Sequence, residues 1–402
     1  MVVRSFRIGL LAVLSGLLLN IGGTAHAQSS PYVTVSGLVY FDQNGNGRRE
    51  ANEPLLSNIQ IKVQGAAPPS SASARQSTGD GSYYELLLPG TYTIQAELDD
   101  PFTGSPPGQP VLVSSPRTIT VTATNQTNVD LAMTLPATPH DARYFPQTGY
   151  RIDDDVIWNY FNARGGVTTF GYPVSRIFPF LGFWTQIFQR EMIQIGGQGG
   201  ASARPMNLLD PDLMPITSLN FSTFPAYDAS LTQQAPPPST ADYADAIVAF
   251  VQQHAPDTFD SQPVNFYRTF TTTVSLQTAY PNGGGNPGLL PLLNLEIWGA
   301  PTSQPAADPK NHNFVYLRFQ RGIMHFDAGC HCTQGILLAD AFKSVLTGQN
   351  LPADVALQMT SSPYLKLDDP TQVDAVARAA GSTLPRVQGE TDLAFAFIPV
   401  SS

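Results

Sequence analysis

The chain has 402 residues, enough for two or three domains, and 21 Lys+Arg against 31 Asp+Glu give a formal charge of −10. That balance argues against nucleic acid, whose binding rests on a basic surface. With 35 Pro, 33 Gly and only 13% charged residues, the composition describes a loop-rich protein with uncharged polar surfaces, suited to glycan or protein contact.

The first stretch reads as an export leader. Arg4 and Arg7 precede an apolar run from Ile8 to Leu19, and Ala25-His26-Ala27 is a small-residue cleavage signature. Residues 1–27 are therefore expected to be a signal peptide cut after Ala27. The run is short for a bilayer span and no second one follows, so no stable membrane span is expected after cleavage. Removing the leader takes away two Arg and no acid and moves the charge to −12. The expected location is secreted, or held at the cell surface.

Residues 32–136 read as one β-unit. Val33–Phe41 is rich in β-branched and aromatic residues, Ile59–Val63 alternates strictly, and Gly81–Leu88, Thr91–Ala96, Arg117–Thr122 and Asn128–Met133 follow between turns such as Pro89-Gly90. About seven short strands separated by turns predict a β-sandwich.

Between the first two strands runs Asp-Gln-Asn-Gly-Asn-Gly-Arg-Arg-Glu-Ala-Asn-Glu, from Asp42 to Glu53. Its spacing is that of a calcium loop: oxygen donors at Asp42, Asn44 and Asn46, Gly47 at the sharp turn, five residues, then Glu53. The carbonyl of Arg48 falls at position seven, Glu50 at position nine, and Glu53 at position twelve can bind through both oxygens. A hard cation needs six or more oxygens, and the loop offers about that many. Two of the donors are neutral amides, so the expected affinity is weak, roughly 10⁻⁴ to 10⁻³ M. The plain alternative is an Asn/Gly-rich turn without metal. The match across the whole loop favours calcium.

The same residues carry a resemblance. Val35–Gly47, Glu53 before Leu56, and Leu88-Pro89-Gly90-Thr91-Tyr92-Thr93 resemble the B-type domain of Gram-positive SD-repeat adhesins, which belongs with the collagen-adhesin B domains. The resemblance covers about a quarter of the chain. It implies an Ig/prealbumin-like sandwich acting as a calcium-stiffened spacer that holds a partner domain off the cell surface. Some members of that family carry a Lys–Asn isopeptide bond. The first strand here has no Lys, and Lys62 is the sole Lys of the unit, so that bond is not expected.

Pro-rich residues 137–143 read as a linker. Beyond it, a loop-rich α+β region holds two diverged repeats, expected as residues 144–215 and 216–402. A helix over Asp153–Asn162 opens the first, with Val156, Ile157, Tyr160 and Phe161 at helical spacing and Gly165-Gly166 as its stop. Asp153, Asp154 and Asp155 suit the positive end of that helix better than catalysis. Phe170-Gly171-Tyr172-Pro173-Val174-Ser175 then precedes Phe188-Gln189-Arg190 and an apolar strand. The pattern returns as Trp298-Gly299-Ala300-Pro301-Thr302-Ser303 before Phe319-Gln320-Arg321. Between the copies, Gln233–Pro238 is a stiff segment, and Ser239 or Thr240 is expected to cap a helix to His254. Further helices are predicted over Ile336–Leu346 and Pro370–Ala380, stopped by Gly348 and Gly381.

The first copy resembles the LGFP repeat of bacterial exported proteins. Trp158, Gly165-Gly166, Phe170-Gly171-Tyr172-Pro173 and Gln186-x-Phe188 ahead of Ile193 carry the likeness, with Phe-Gly-Tyr-Pro in place of Leu-Gly-Phe-Pro. It implies attachment to the cell envelope.

Chemistry-bearing clusters are few. His325, Cys330, His331 and Cys332 are close in sequence, but a one-residue gap between two Cys is poor zinc spacing. A disulfide there would add little stapling. No G-x-S-x-G, H-E-x-x-H or phosphate-binding Gly loop occurs. Trp158, Tyr172, Trp184 and Trp298 are the residues to stack on sugar rings, with core packing the ordinary use of such side chains. Trp184 is expected at an exposed turn. The sequence thus predicts a non-catalytic surface protein: a calcium-stiffened sandwich presenting a C-terminal region that binds envelope polysaccharide or a surface protein. The alternative is an extracellular hydrolase acting on glycan or peptide through that region.

Overall fold

The computed structural model describes residues 31–42, 45–51, 53–56, 59–73, 75–98, 114–134, 141–196, 202–368, 391, 393 and 396–399. The leader, Asn44, the Pro/Gly loop at 101–110, most of the linker and the helix expected at 370–380 lie outside them. Strand outweighs helix and is spread over several small sheets, in agreement with a mainly β chain. No helix among the described residues is long and apolar enough to cross a membrane.

The N-terminal unit has two three-stranded sheets. Strands β1 (Val33–Phe41), β3 (Ser82–Leu87) and β6 (Leu131–Met133) form one, in the order β3-β1-β6. Strands β2 (Ile59–Gly65), β4 (Gly90–Leu98) and β5 (Arg117–Val121) form the other, in the order β2-β4-β5. β1 runs antiparallel to β3, with Val33 opposite Leu87, and parallel to β6, with Val39 opposite Leu131. Alternation sends Val33 and Val35, Ile59 and Ile61, and Tyr92, Ile94 and Ala96 into one shared cluster. Each buried Val or Ile among these adds about 1.5–3 kcal/mol. β6 is shorter than expected, because Asn128 takes a left-handed φ of 62° and ends the extended run upstream. Gly37 sits where β1 crosses a carbonyl, and a Cβ there would lie 2.2 Å from Val129 O.

The rest of the described chain is α+β. A short pair, β7 (Tyr144–Phe145) and β8 (Tyr150–Arg151), leads into α1 (Asp155–Ala163) and α2 (Gly166–Phe170). Asp154 caps α1, accepting the N–H groups of Val156 and Ile157. Asp153 pairs with Arg151, and Asp155 with Arg143 at 2.6 Å. The three carboxylates are therefore structural. The first repeat continues as β9 (Pro173–Phe180), β10 (Phe183–Phe188), β11 (Met192–Gly196) and β12 (Ser202–Pro205), an antiparallel meander.

A hairpin, β13 (Ser218–Leu219) with β14 (Ser222–Thr223), leads to α3 (Ala229–Gln234), α4 (Tyr243–His254), α5 (Phe266–Thr272), α6 (Leu276–Ala279) and α7 (Leu290–Trp298). α4 starts later than Ser239 or Thr240 would set it. Asp242, at a left-handed φ of 54°, precedes it without a side-chain cap. The second meander is β15 (Ala306–Ala307), β16 (Phe314–Arg318), β17 (Ile323–Asp327) and β18 (Cys332–Gly335), followed by α8 (Leu338–Thr347) and α9 (Ala353–Gln358).

Both meanders feed the same two apolar clusters. One joins Phe178, Phe180 and Met192 with Ile323, Phe342 and Leu346. The other joins Phe161, Phe170 and Phe188 with Phe270, Trp298 and Phe319. The repeats are thus packed into one body. The last described residues bind it to the N-terminal unit: Phe397 O accepts from Tyr150 Oη at 2.9 Å, Ile398 O from Arg176 Nε at 2.7 Å, and Ile398 packs on the N-terminal cluster.

Candidate functional site

The Asp42–Glu53 loop closes on itself. Asp42 follows β1 directly, is buried, and donates its N–H to Met133 O at 2.9 Å. Its Oδ1 accepts the N–H of Asn46 at 3.1 Å and its Oδ2 that of Gly47 at 2.7 Å. Gly45 and Gly47, at φ of 69° and 71°, supply the left-handed turns. Asn46 Oδ1 accepts from the N–H of Arg48 at 2.7 Å, and its amide donates to Glu50 Oε1 at 2.7 Å. Glu53, also buried, accepts the N–H of Glu50 at 3.0 Å. The second carboxylate oxygen of Glu50 is buried without a hydrogen-bond partner.

These acids gather around Tyr40. Its hydroxyl is pushed up to about 12, by burial first and then by Asp42, Glu53, Asp130 and Glu50. Inward carboxylates, a glycine-shaped turn and an orphaned buried oxygen are a donor set that suits a hard cation. Among the described residues no three His, Cys, Asp or Glu stand together in a metal-holding group. The expected donor set, however, also includes two amides and the Arg48 carbonyl, and Asn44 is outside the described residues. The side chain of Arg48 is exposed.

In the α+β body the repeated motif has one geometry in both copies. Gly171 and Gly299 end α2 and α7 with φ, ψ of 77°, −172° and 72°, −169°. The next N–H, of Tyr172 or Ala300, is accepted by the side-chain oxygen of Gln189 at 3.0 Å or Gln320 at 3.1 Å. The following arginine donates its backbone N–H to Phe170 O at 2.9 Å or Trp298 O at 3.1 Å. Buried hydroxyls of Ser175 and Ser303 accept from Ile187 and Arg318 in the same way. Each motif therefore clips a helix end onto a hairpin turn.

A half-open cleft of about 420 Å³ lies against the first clip. One wall is the end of α2 with Tyr172, Gln189 and Arg190. The other is α5, Trp298 and the end of β18. Six threonines, at 168, 169, 269, 272, 273 and 333, supply hydroxyls, and among the described residues no Asp or Glu lines it. Trp298 is 7% exposed, and its indole N–H donates to Thr273 Oγ1 at 2.8 Å. Arg190 donates Nε to Gly335 O at 3.2 Å, and burial lowers its pKa.

Two of the four expected aromatic residues, Tyr172 and Trp298, are thus brought to one cleft. Trp158 and Trp184 are not. Trp158 stacks on Phe161 under the Arg143 guanidinium. Trp184 lies within β10, opposite Pro179 and Ile195, half-buried rather than at a turn. The turn is made instead by Leu181 and Gly182, at φ of 51° and 83°. Gln189, Arg190 and the threonines had no place in the sequence-based site. The recurring Phe-Gln-Arg was the available signal.

A second cleft, of about 390 Å³, lies against the second clip, bordered by Gln320, Arg321, Glu296 and the Pro236–Pro238 segment. Behind it is a buried polar junction. Glu191 is 3% exposed. Burial pushes its carboxyl well above the usual range, and Arg321 offsets this in part. Arg164 pairs with Glu296 at 3.2 Å and lies over the Tyr160 ring. Gly322 packs against the Trp298 ring, where a Cβ would lie 3.1 Å from the indole, with Glu191 Oε1 beside it at an ordinary contact distance.

Cys330 and Cys332 are joined in a disulfide, with Cα atoms 5.2 Å apart, so neither offers a thiolate to zinc. His325 lies on β17, half-buried, with Nδ1 unpartnered and its pKa lowered by burial.

No protein-family model and no curated protein matches the chain.

Proposed function

We propose that the chain is an exported, non-catalytic surface protein whose cleft at Tyr172 and Trp298 binds envelope glycan. On this reading the two N-terminal sheets are a prealbumin-like β-sandwich of the SD-repeat adhesin B type. Calcium held by Asp42, Asn44, Asn46, Arg48 O, Glu50 and Glu53 stiffens it as a spacer. The α+β body, similar to LGFP repeats, carries the binding surface.

The lining of the cleft is the observation that supports this most. Aromatic rings, hydroxyls, amides and a guanidinium are the groups that hold a polyhydroxylated ligand in place. Bond cleavage needs a positioned acid–base pair or an activated nucleophile. Among the described residues the cleft lining carries no carboxylate, and Glu191 is enclosed near Arg321.

Retention of the purified protein on cell-wall and polysaccharide fractions tests the reading. Expected is retention on a glycan fraction that is lost in a Tyr172→Ala variant and survives a calcium chelator, which acts on the spacer alone. Retention on no fraction, or release of sugar or peptide fragments from one, would overturn it.

A further inference from the structure

We propose that the cleft takes an acidic sugar, whose oxyanion, a carboxylate or a phosphodiester, is held by the guanidinium of Arg190. This rests on the glycan reading and names the class of glycan.

Arg190 is a half-buried cation with its charge uncompensated. Its Nε is spent on Gly335 O, and no acid pairs with it among the described residues. Among the described residues no Asp or Glu lines the cleft that it faces. A charge withdrawn from water is costly unless it is paired. Other arginines of the body are placed differently. Arg318 is buried, but spends both Nη groups on Ile216 O at 3.0 Å and Leu209 O at 3.3 Å.

The repeat provides an internal comparison. Arg321 occupies the position of Arg190 in the second copy. It is offset by Glu191, and Glu296 lines the cleft beside it. The position matching Glu296 in the first copy is Thr168, and the position matching Glu191 in the second is Gly322. So the two clips share a backbone, yet among the described residues the acids that attend one arginine are missing around the other. In a chain of net charge −10, with acids in excess, an arginine kept clear of them leaves its fork for a ligand. That fork matches the two oxygens of a carboxylate or phosphate. Neighbouring Thr168 and Thr269 add hydroxyls suited to ring hydroxyls or further anion oxygens.

The test compares soluble oligomers by calorimetry: a neutral hexosamine oligomer, a uronate oligomer and a polyol-phosphate oligomer, each with the full chain, Arg190→Gln and Arg190→Lys. Expected is binding of the uronate or the phosphate oligomer, whichever is the source of the anion, in preference to the neutral one. Arg190→Gln should weaken it about ten- to a hundredfold, with Arg190→Lys in between. Should Arg190→Gln fail to fold, a salt titration of the unaltered protein tests the same point independently, since affinity for an anion falls with salt. Neutral and acidic oligomers binding equally, with no salt dependence, would overturn the anion assignment and leave the glycan reading standing. Binding of no oligomer would remove both.

Discussion

The side-chain oxygen of Gln189 accepts the backbone N–H of Tyr172 at 3.0 Å, directly over the site where Gly171 lacks a Cβ. A Cβ there would lie 2.6 Å from Gln189 Cβ, and at Gly299 it would lie 2.6 Å from Gln320 Cβ. The glutamine fills the space the glycine leaves and accepts the N–H of the residue just past the helix end. This makes the aromatic-Gly-x-Pro turn and Phe-Gln-Arg two halves of one device, used twice.

Gln189→Ala should therefore cost about 1–2 kcal/mol, the worth of a hydrogen bond whose donor is left partly buried. Gly171→Ala should cost more, about 2–4 kcal/mol, because it adds both left-handed strain and overlap. Urea unfolding followed by tryptophan fluorescence reports on this body, since Trp158, Trp184 and Trp298 all lie in it. Equal costs for the two variants would contradict the plug.

Calcium should stabilise the N-terminal unit. With the weak affinity expected, about 10 mM calcium is a ten- to hundredfold excess over the dissociation constant and adds about 1.4–2.7 kcal/mol. Scanning calorimetry should show one transition rising with calcium, and Asp42→Asn or Glu53→Gln should abolish the rise. Magnesium should do less, because it demands a tighter octahedral shell. A transition unmoved by calcium would dismiss the metal.

Glu85 on β3 is fully buried, and among the described residues its oxygens have no well-formed hydrogen bond, only the nearby Ser73 and Arg75. Burial raises its pKa from 4.5, with Ser73 and Arg75 offsetting part of the shift. The folded state then keeps a proton that the unfolded chain has given up, so this group's contribution is complete below the ordinary Glu value. It is lost as pH climbs through the raised folded value. The stability difference between the native chain and Glu85→Gln, measured from pH 4 to 8, should shift in favour of the variant as pH rises. A difference flat in pH would show that Glu85 titrates normally.

The Cys330–Cys332 disulfide encloses a single residue, so it removes little freedom from the unfolded chain. Replacing both cysteines by serine should cost only about 1–2 kcal/mol, with the fold kept by circular dichroism. A larger loss would mean that the bridge holds the β17–β18 turn and through it the cleft wall.

Local spacing was enough to place much of the chain. Alternation located β1 to β5 because a half-buried strand must send every second side chain inward. The loop at Asp42–Glu53 was readable because its donors lie next to one another in sequence. The stops at Gly165 and Gly348 follow from left-handed backbone that glycine alone adopts cheaply. The sequence also displayed the doubled Phe-Gln-Arg motif, though not its purpose.

Only the packing of the two repeats on shared apolar clusters brings Tyr172 and Trp298 to one cleft and puts Arg190 where, among the described residues, no acid lines it. The same packing sets Glu191 against Arg321 and turns Trp184 into a half-buried strand residue. Sequence spacing governs which backbone shape each segment prefers. Which side chains converge depends on contacts between distant segments, and that long-range burial decides where charge is cancelled and where it is left for a ligand.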